Sequence, residues 1–248
     1  MMKHPHFKGK EALQHVIDAR IKGKLASSEI HGTELPGHYS AGADAAKETA
    51  FLLLLFWTLF TNLHFPDANI HRISLILIIG WLFWKVGRSA ILGYLRLQRL
   101  HRLIEEERWE IEHHRPQEKE ELKALYAAKG FSGPLLNEVI DVLMADDNRL
   151  LQVMLEEELG LTLGSFEHPL KQASGAAIGV LVSSMLLWAT FLFLPTWGTP
   201  LIAGLIIAIT SFLVARFEKG EKLPAMIWNL AVAALALAIA FFSAEVFP

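Results

Sequence analysis

Long uncharged apolar stretches alternate along the chain with segments dense in charge. Residues 173–194, 198–215 and 223–242 contain no Asp, Glu, Lys or Arg. Residues 73–86 (ISLILIIGWLFWKV) are apolar apart from Lys85, and the run continues to Leu95 with Arg88 as its only other charge. Residues 50–65 (AFLLLLFWTLFTNLHF) form a shorter run, which reaches spanning length only by starting near Gly42 and taking in Asp44, Lys47 and Glu48. A helix needs ~20 largely apolar residues to cross ~30 Å of hydrocarbon. The pattern predicts an all-α polytopic membrane protein with five transmembrane helices. A soluble bundle is a poor account of uncharged runs this long. Residues 1–40 hold no apolar stretch of the signal-peptide kind, so no cleaved leader is expected.

The same pattern divides the chain into four parts. Residues 1–40 form an N-terminal segment, with an amphipathic helix over 10–24 that places Leu13, Val16, Ile17 and Ile21 on one side. Residues 41–95 hold the first two spans, 96–172 an insert, and 173–248 the last three spans. Lys/Arg content gives the orientation. It is high before the first span, low in the loop at Arg72, absent between 195 and 200, and high again at Arg216, Lys219 and Lys222. The N-terminus and the insert are therefore expected on the cytoplasmic side, with the C-terminus facing away. In the third span Gly175 and Gly179 make a small-x-x-x-small pair, which suits close helix packing of the kind a dimer uses.

Composition sharpens this picture. The mean hydropathy is +0.34, yet 23 basic and 26 acidic residues are present. The charge is segregated: residues 99–158 carry 15 acidic against 8 basic side chains. The absence of cysteine excludes a disulfide scaffold, a thiolate zinc site, a cysteine nucleophile and an iron–sulfur cluster. A net charge of -3 gives no reason to expect nucleic acid as a partner.

Within the insert the periodicity predicts three helices. The first continues from the second span to about His114, because no breaker occurs before Pro116. The second runs from about Pro116 to Lys129 and ends at Gly130. The third part is apolar around 135–144, and Asp146-Asp147-Asn148 can cap a final helix to Leu159. Glu107 and Glu110 share one helix face, as do Glu118 and Glu121 on the next helix. A turn at Pro116 folds the two pairs toward each other, while Met154 and Glu158 stand four apart on the last helix. Converging carboxylates with one thioether suit a divalent transition metal, the sulfur tilting the preference toward Fe(II). A solvated acidic helix face is the simpler alternative, since Glu is a good helix former and charge runs are commonly exposed. Glu110 and His113 also make an E-x-x-H of the ferritin kind. A di-iron enzyme needs two such motifs, so His113 and His114 are read as exposed and the protein as no enzyme.

The stretches EEERWEIEHHRPQEKEELKALYAAKG and VLMADDNRLLQVMLEEELGL resemble the insert of the vacuolar iron transporter family. The likeness lies in the glutamate placement, in EL-x-x-x-Y-x-x-x-G, and in the closing M-L-x-x-E-L-G-L. The resemblance implies five membrane helices, a three-helix cytosolic metal-binding insert between helices two and three, and a homodimer in the lipid bilayer. It implies metal ligation by Glu107, Glu110, Glu118, Glu121, Met154 and Glu158. Leu155 stands where some members have a second methionine. In the membrane part, Gly93-Tyr94 lacks the Glu of the family's G-E-Y, and the second-span methionine has no clear counterpart. The family's first-span aspartate falls on Asp44, with Glu48 one turn on along the same face. An acid inside a span is a functional candidate by default; the alternative places both acids at the interface beside a snorkelling Lys47. The function implied is export of Fe(II) or Mn(II) from the cytosol by proton exchange, the metal being cargo and no resident cofactor being needed. The alternative is a membrane-anchored metal-binding or sensing protein without transport. A bacterial inner membrane is the expected location, an organelle membrane the alternative.

Overall fold

A computed structural model describes residues 35–159, 167–194 and 197–246. The described residues form eight helices and no strands: α1 (Gly37–Asn62), α2 (Asp67–His113), α3 (Arg115–Ala128), α4 (Gly133–Met144), α5 (Asp147–Glu157), α6 (Pro169–Phe193), α7 (Gly198–Phe217) and α8 (Lys222–Val246). The expected helix over 10–24 lies outside the described residues. The chain divides into two compact units, one containing residues 95–166 and the other residues 31–94 with 167–248.

Four helices are long and apolar enough to cross a membrane: Asn69–His113, Pro169–Phe193, Gly198–Phe217 and Lys222–Val246. α1 is also long, at 26 residues. Asp44, Lys47 and Glu48 in its first half keep it outside that group of four. α1 packs on α6, α7 and α8. Its buried face (Ala46, Ala50, Leu53, Leu54) meets Leu187 of α6 and Ala203 and Ile207 of α7. The other faces of the bundle are apolar and open, as Phe83, Trp84, Phe193 and Trp228 show. Lipid tails are a suitable environment for such a surface. The Gly175/Gly179 pair serves packing within the chain. A Cβ on Gly179 would stand 2.1 Å from the Gly42 carbonyl oxygen, so α1 and α6 meet backbone to backbone. The start of α1 is fixed by Glu167, whose Oε2 accepts from the His38 backbone N–H at 2.6 Å while Lys171 pairs with Oε1 at 3.0 Å.

The other unit holds the end of α2 together with α3, α4 and α5. Its core joins Leu100 and Ile111 of α2, Leu122 of α3, Ile140 of α4 and Leu150 and Leu155 of α5. The expected third part is two helices, so the unit has four helical pieces and not three. The division falls at Asp146, whose extended backbone (φ -138°, ψ 125°) breaks the helical path. Its carboxylate then accepts the Arg149 N–H at 2.8 Å, which caps α5. The turn between α2 and α3 falls at His114, and Pro116 stands inside the first turn of α3, where its missing N–H leaves no helical bond unmade. α3 ends through Gly130 at φ 97°, a left-handed conformation that glycine adopts without a Cβ clash. Asp146→Ala removes the α5 cap, and a loss of about 1 kcal/mol is expected. Thermal unfolding of the full chain in detergent, against Asp146→Asn, which keeps a capping oxygen, checks it.

Candidate metal centre

The glutamates of the insert fall into two classes by position on their helices. Glu105, Glu112, Glu120 and Glu156 face outward and are exposed. Glu118 and Glu158 are 0% and 1% exposed, Glu121 2%, Glu107 4% and Glu110 5%. Burial this complete overturns the simpler expectation of a solvated acidic face, because charged side chains are rarely buried without a compensating partner.

Helix phase explains the sorting. On α2, Glu107 and Glu110 share a stripe with the core residue Ile111. On α3, Glu118 and Glu121 flank the core residues Leu122 and Leu125. Reversal of the chain at His114 then sets α3 back toward α2; the Glu118 N–H bonds to the His114 carbonyl at 3.1 Å. Glu158 follows α5 as its C-cap, its N–H bonded to the Met154 carbonyl at 2.9 Å. One carboxylate oxygen from each of Glu107, Glu118 and Glu158 lies within 4.8 Å of the others. Glu107 Oε1 is buried and takes no hydrogen bond among the described residues.

Electrostatics oppose this gathering. Burial pushes the Glu107 carboxyl well above the usual range, and the charges of Glu158, Glu118, Glu110 and Glu121 push the same way. Glu158 also stands at the negative end of α5, where the helix dipole favours a cation. Among the described residues of this unit, Arg115 pairs with Asp147 at 2.6 Å, Lys119 with Asp141 at 2.7 Å, Lys123 with Glu120 at 3.0 Å, and Lys129 with Glu157. A divalent cation among three carboxylate oxygens would offset the repulsion, and hard oxygen ligands suit such an ion.

The raised Glu107 pKa has a definite sign. In the metal-free protein the native state keeps this proton to higher pH than the unfolded chain, whose Glu titrates near ~4.3. The group's contribution to stability is full below that value and is lost as pH rises toward the native pKa. In EDTA, the full chain should lose stability relative to Glu107→Gln as pH rises above the ordinary glutamate range. Parallel curves for the two proteins would contradict the assignment.

The other expected site residues are placed as follows. Met154 is fully buried in the apolar core of the unit, one turn before Glu158, with Leu155 beside it. Glu110 and Glu121 are close enough to act on Glu107 by charge. His113 is exposed, stacked on Trp109 at 4.6 Å, with Nδ1 at 2.9 Å from the Trp109 carbonyl; it does not share the buried position of Glu110. Asp44 and Glu48 belong to the other unit, on α1. Each has a lysine partner, Lys47 at 2.9 Å and Lys85 at 2.6 Å. The pairing of Glu48 with Lys85 has no signal in the sequence, because the two stand 37 residues apart on different helices.

No curated protein matches the chain. The model of the VIT family matches residues 96–245, from the insert through the last three apolar helices. With more than half of its length matched, the chain belongs to the VIT family, the vacuolar iron transporters, and is an integral membrane protein of metal-ion transport.

Proposed function

We propose that the protein exports Fe(II) or Mn(II) from the cytosol by exchange for protons, working as a homodimer in a bacterial inner membrane. The observation that carries this reading is the convergence of Glu107, Glu118 and Glu158 within 4.8 Å in a buried interior. In this reading the insert collects ions at the cytoplasmic face, with Glu110, Glu121 and Met154 completing the ligand set. The Met154 thioether favours Fe(II) over harder ions. α1 is the fifth span: 26 residues of helix extend about 39 Å, enough for the hydrocarbon layer with its charged first half toward one side. The Lys/Arg distribution sets the N-terminus and the insert in the cytoplasm. Asp44 and Glu48 then pass the ion along α1, and alternating protonation of the two acids couples the proton gradient to release.

Reconstitution in liposomes tests the reading. Fe(II) or Mn(II) entry should be observed, and it should accelerate when a pH gradient is imposed. Asp44→Asn should abolish flux while leaving metal binding by the full chain intact. Measurable binding with no flux under any gradient would overturn transport.

A further inference from the structure

Lys85 stands twelve residues after Ile73 and ten before Leu95, in the middle of the apolar stretch of α2. Its partner Glu48 is the twelfth of the 26 residues of α1. The ammonium lies 2.6 Å from Glu48 Oε2 and 5.9 Å from the centre of the Trp81 ring. Trp81 is itself held, its indole N–H donating to Thr49 Oγ1 at 2.9 Å, and the Thr49 hydroxyl donates to the Ala45 carbonyl at 2.6 Å. One turn earlier on the same face of α1, Asp44 pairs with Lys47, the neighbour of Glu48 in sequence, at 2.9 Å. Each of the two acids thus has an ammonium group as partner.

Burial within the pair is asymmetric. The Lys85 side chain is 12% exposed and that of Glu48 50%. The cation is therefore the buried partner and reaches out to the carboxylate. An ammonium this buried is unfavourable unless paired, and a methionine would fill the same volume without that requirement. A cation arriving at Glu48 meets a carboxylate already occupied. The four-carbon stem of lysine is flexible enough to swing away and return.

We propose that Lys85 is a tethered counter-cation that the transported divalent ion displaces from Glu48, so that this lysine sets the metal affinity of the membrane path. The inference rests on the transport reading above, with Glu48 on the path. While Glu48 is ionised and holds no metal, Lys85 keeps it compensated; when the ion leaves, the lysine returns until a proton neutralises the carboxylate.

The test uses the full chain in detergent with Glu107→Gln, Glu118→Gln and Glu158→Gln in place, so that insert binding is silenced. Equilibrium Mn(II) binding is then measured with and without Lys85→Met. Removing the tethered charge should tighten binding about tenfold. Lys85→Arg, which keeps the charge, should leave the affinity of the background unchanged. Glu48→Gln combined with Lys85→Met should remove the gain. If Lys85→Met does not stay monodisperse, the neutral Lys85→Gln goes through the same titration under the same criterion. Binding no tighter in the neutral variant than in the background would overturn the proposal. Flux is read separately in liposomes on the otherwise unaltered chain. Absence of flux there removes the transport reading, while the binding titration still decides whether Lys85 competes with metal for Glu48.

Discussion

Replacing Glu107, Glu118 and Glu158 together with glutamine should raise the thermal stability of the metal-free protein and abolish its stabilisation by Mn(II). Glutamine keeps the volume and polarity of glutamate and removes the charge. Two full negative charges 4–5 Å apart repel by about 3–4 kcal/mol at the effective dielectric of a protein. The three carboxylates here come within 4.8 Å, and Glu110 and Glu121 add to the field at Glu107. Part of that repulsion is avoided by protonation, as the raised Glu107 pKa indicates, so a gain of several degrees in unfolding temperature is expected rather than the full sum. The metal response should move oppositely. A ligand that binds only the native state stabilises by about 2.7 kcal/mol at a hundredfold excess over its dissociation constant. The unaltered chain should therefore gain stability steadily across an Mn(II) titration, and the triple variant should not. Thermal unfolding of the full chain in detergent, with EDTA and then with Mn(II), reads both effects. A triple variant that still responds to Mn(II) would show that the ion binds elsewhere. A triple variant less stable in EDTA would show that the carboxylates hold the unit together by hydrogen bonds that amide groups cannot replace.

Much of this centre can be read from spacing. Intervals of three within Glu107/Glu110 and Glu118/Glu121, and of four between Met154 and Glu158, fix which side chains share a face once each segment is helical. Spacing does not say which face turns inward. Glu120 and Glu121 are adjacent in sequence, yet one is exposed and the other buried; Leu122 and Leu125 decide this by drawing their own side of α3 into the core. The break at Asp146 is harder to read, because Asp146, Asp147 and Asn148 are all competent caps and only backbone geometry selects the first. Contacts between distant segments left the weakest trace. The partner of Glu48 could not be named, since nothing local connects it to Lys85. The glycines of α6 announced a close approach but not its partner, which proved to be α1 in the same chain.

That approach gives the second large effect, expected at Gly179. The contacts between α6 and α1 keep a strict register of four. A Cβ on Gly175 would stand 2.0 Å from the His38 carbonyl oxygen, and one on Gly179 would stand 2.1 Å from that of Gly42. Ser183, four further on, donates its hydroxyl to the Ala46 carbonyl at 3.1 Å. Small residues thus let the two backbones touch, and packing of this kind is what binds helices where lipid removes the hydrophobic drive between them. The atoms opposite Gly179 are backbone and cannot rotate away. Gly179→Ala must push α1 and α6 apart, which should cost about 3 kcal/mol, at the upper end of ordinary overpacking. Gly179→Leu should prevent docking of the two helices and leave no monodisperse protein. Gly204 on α7 is the control, because a Cβ there meets nothing within 4 Å. Gly204→Ala should be neutral or stabilising by up to about 1 kcal/mol, since alanine is the better helix former. Fluorescence-detected size exclusion after heating reads all three. The opposite signs of one substitution at two glycines of the same unit carry the force of the test: equal effects would mean that helix propensity, and not the α1–α6 contact, governs this part of the fold. The contact also bears on transport. Under the path proposed for Asp44 and Glu48 on α1, Gly179→Ala should lower metal flux in the fraction that remains folded, with the buried glutamates of the insert untouched.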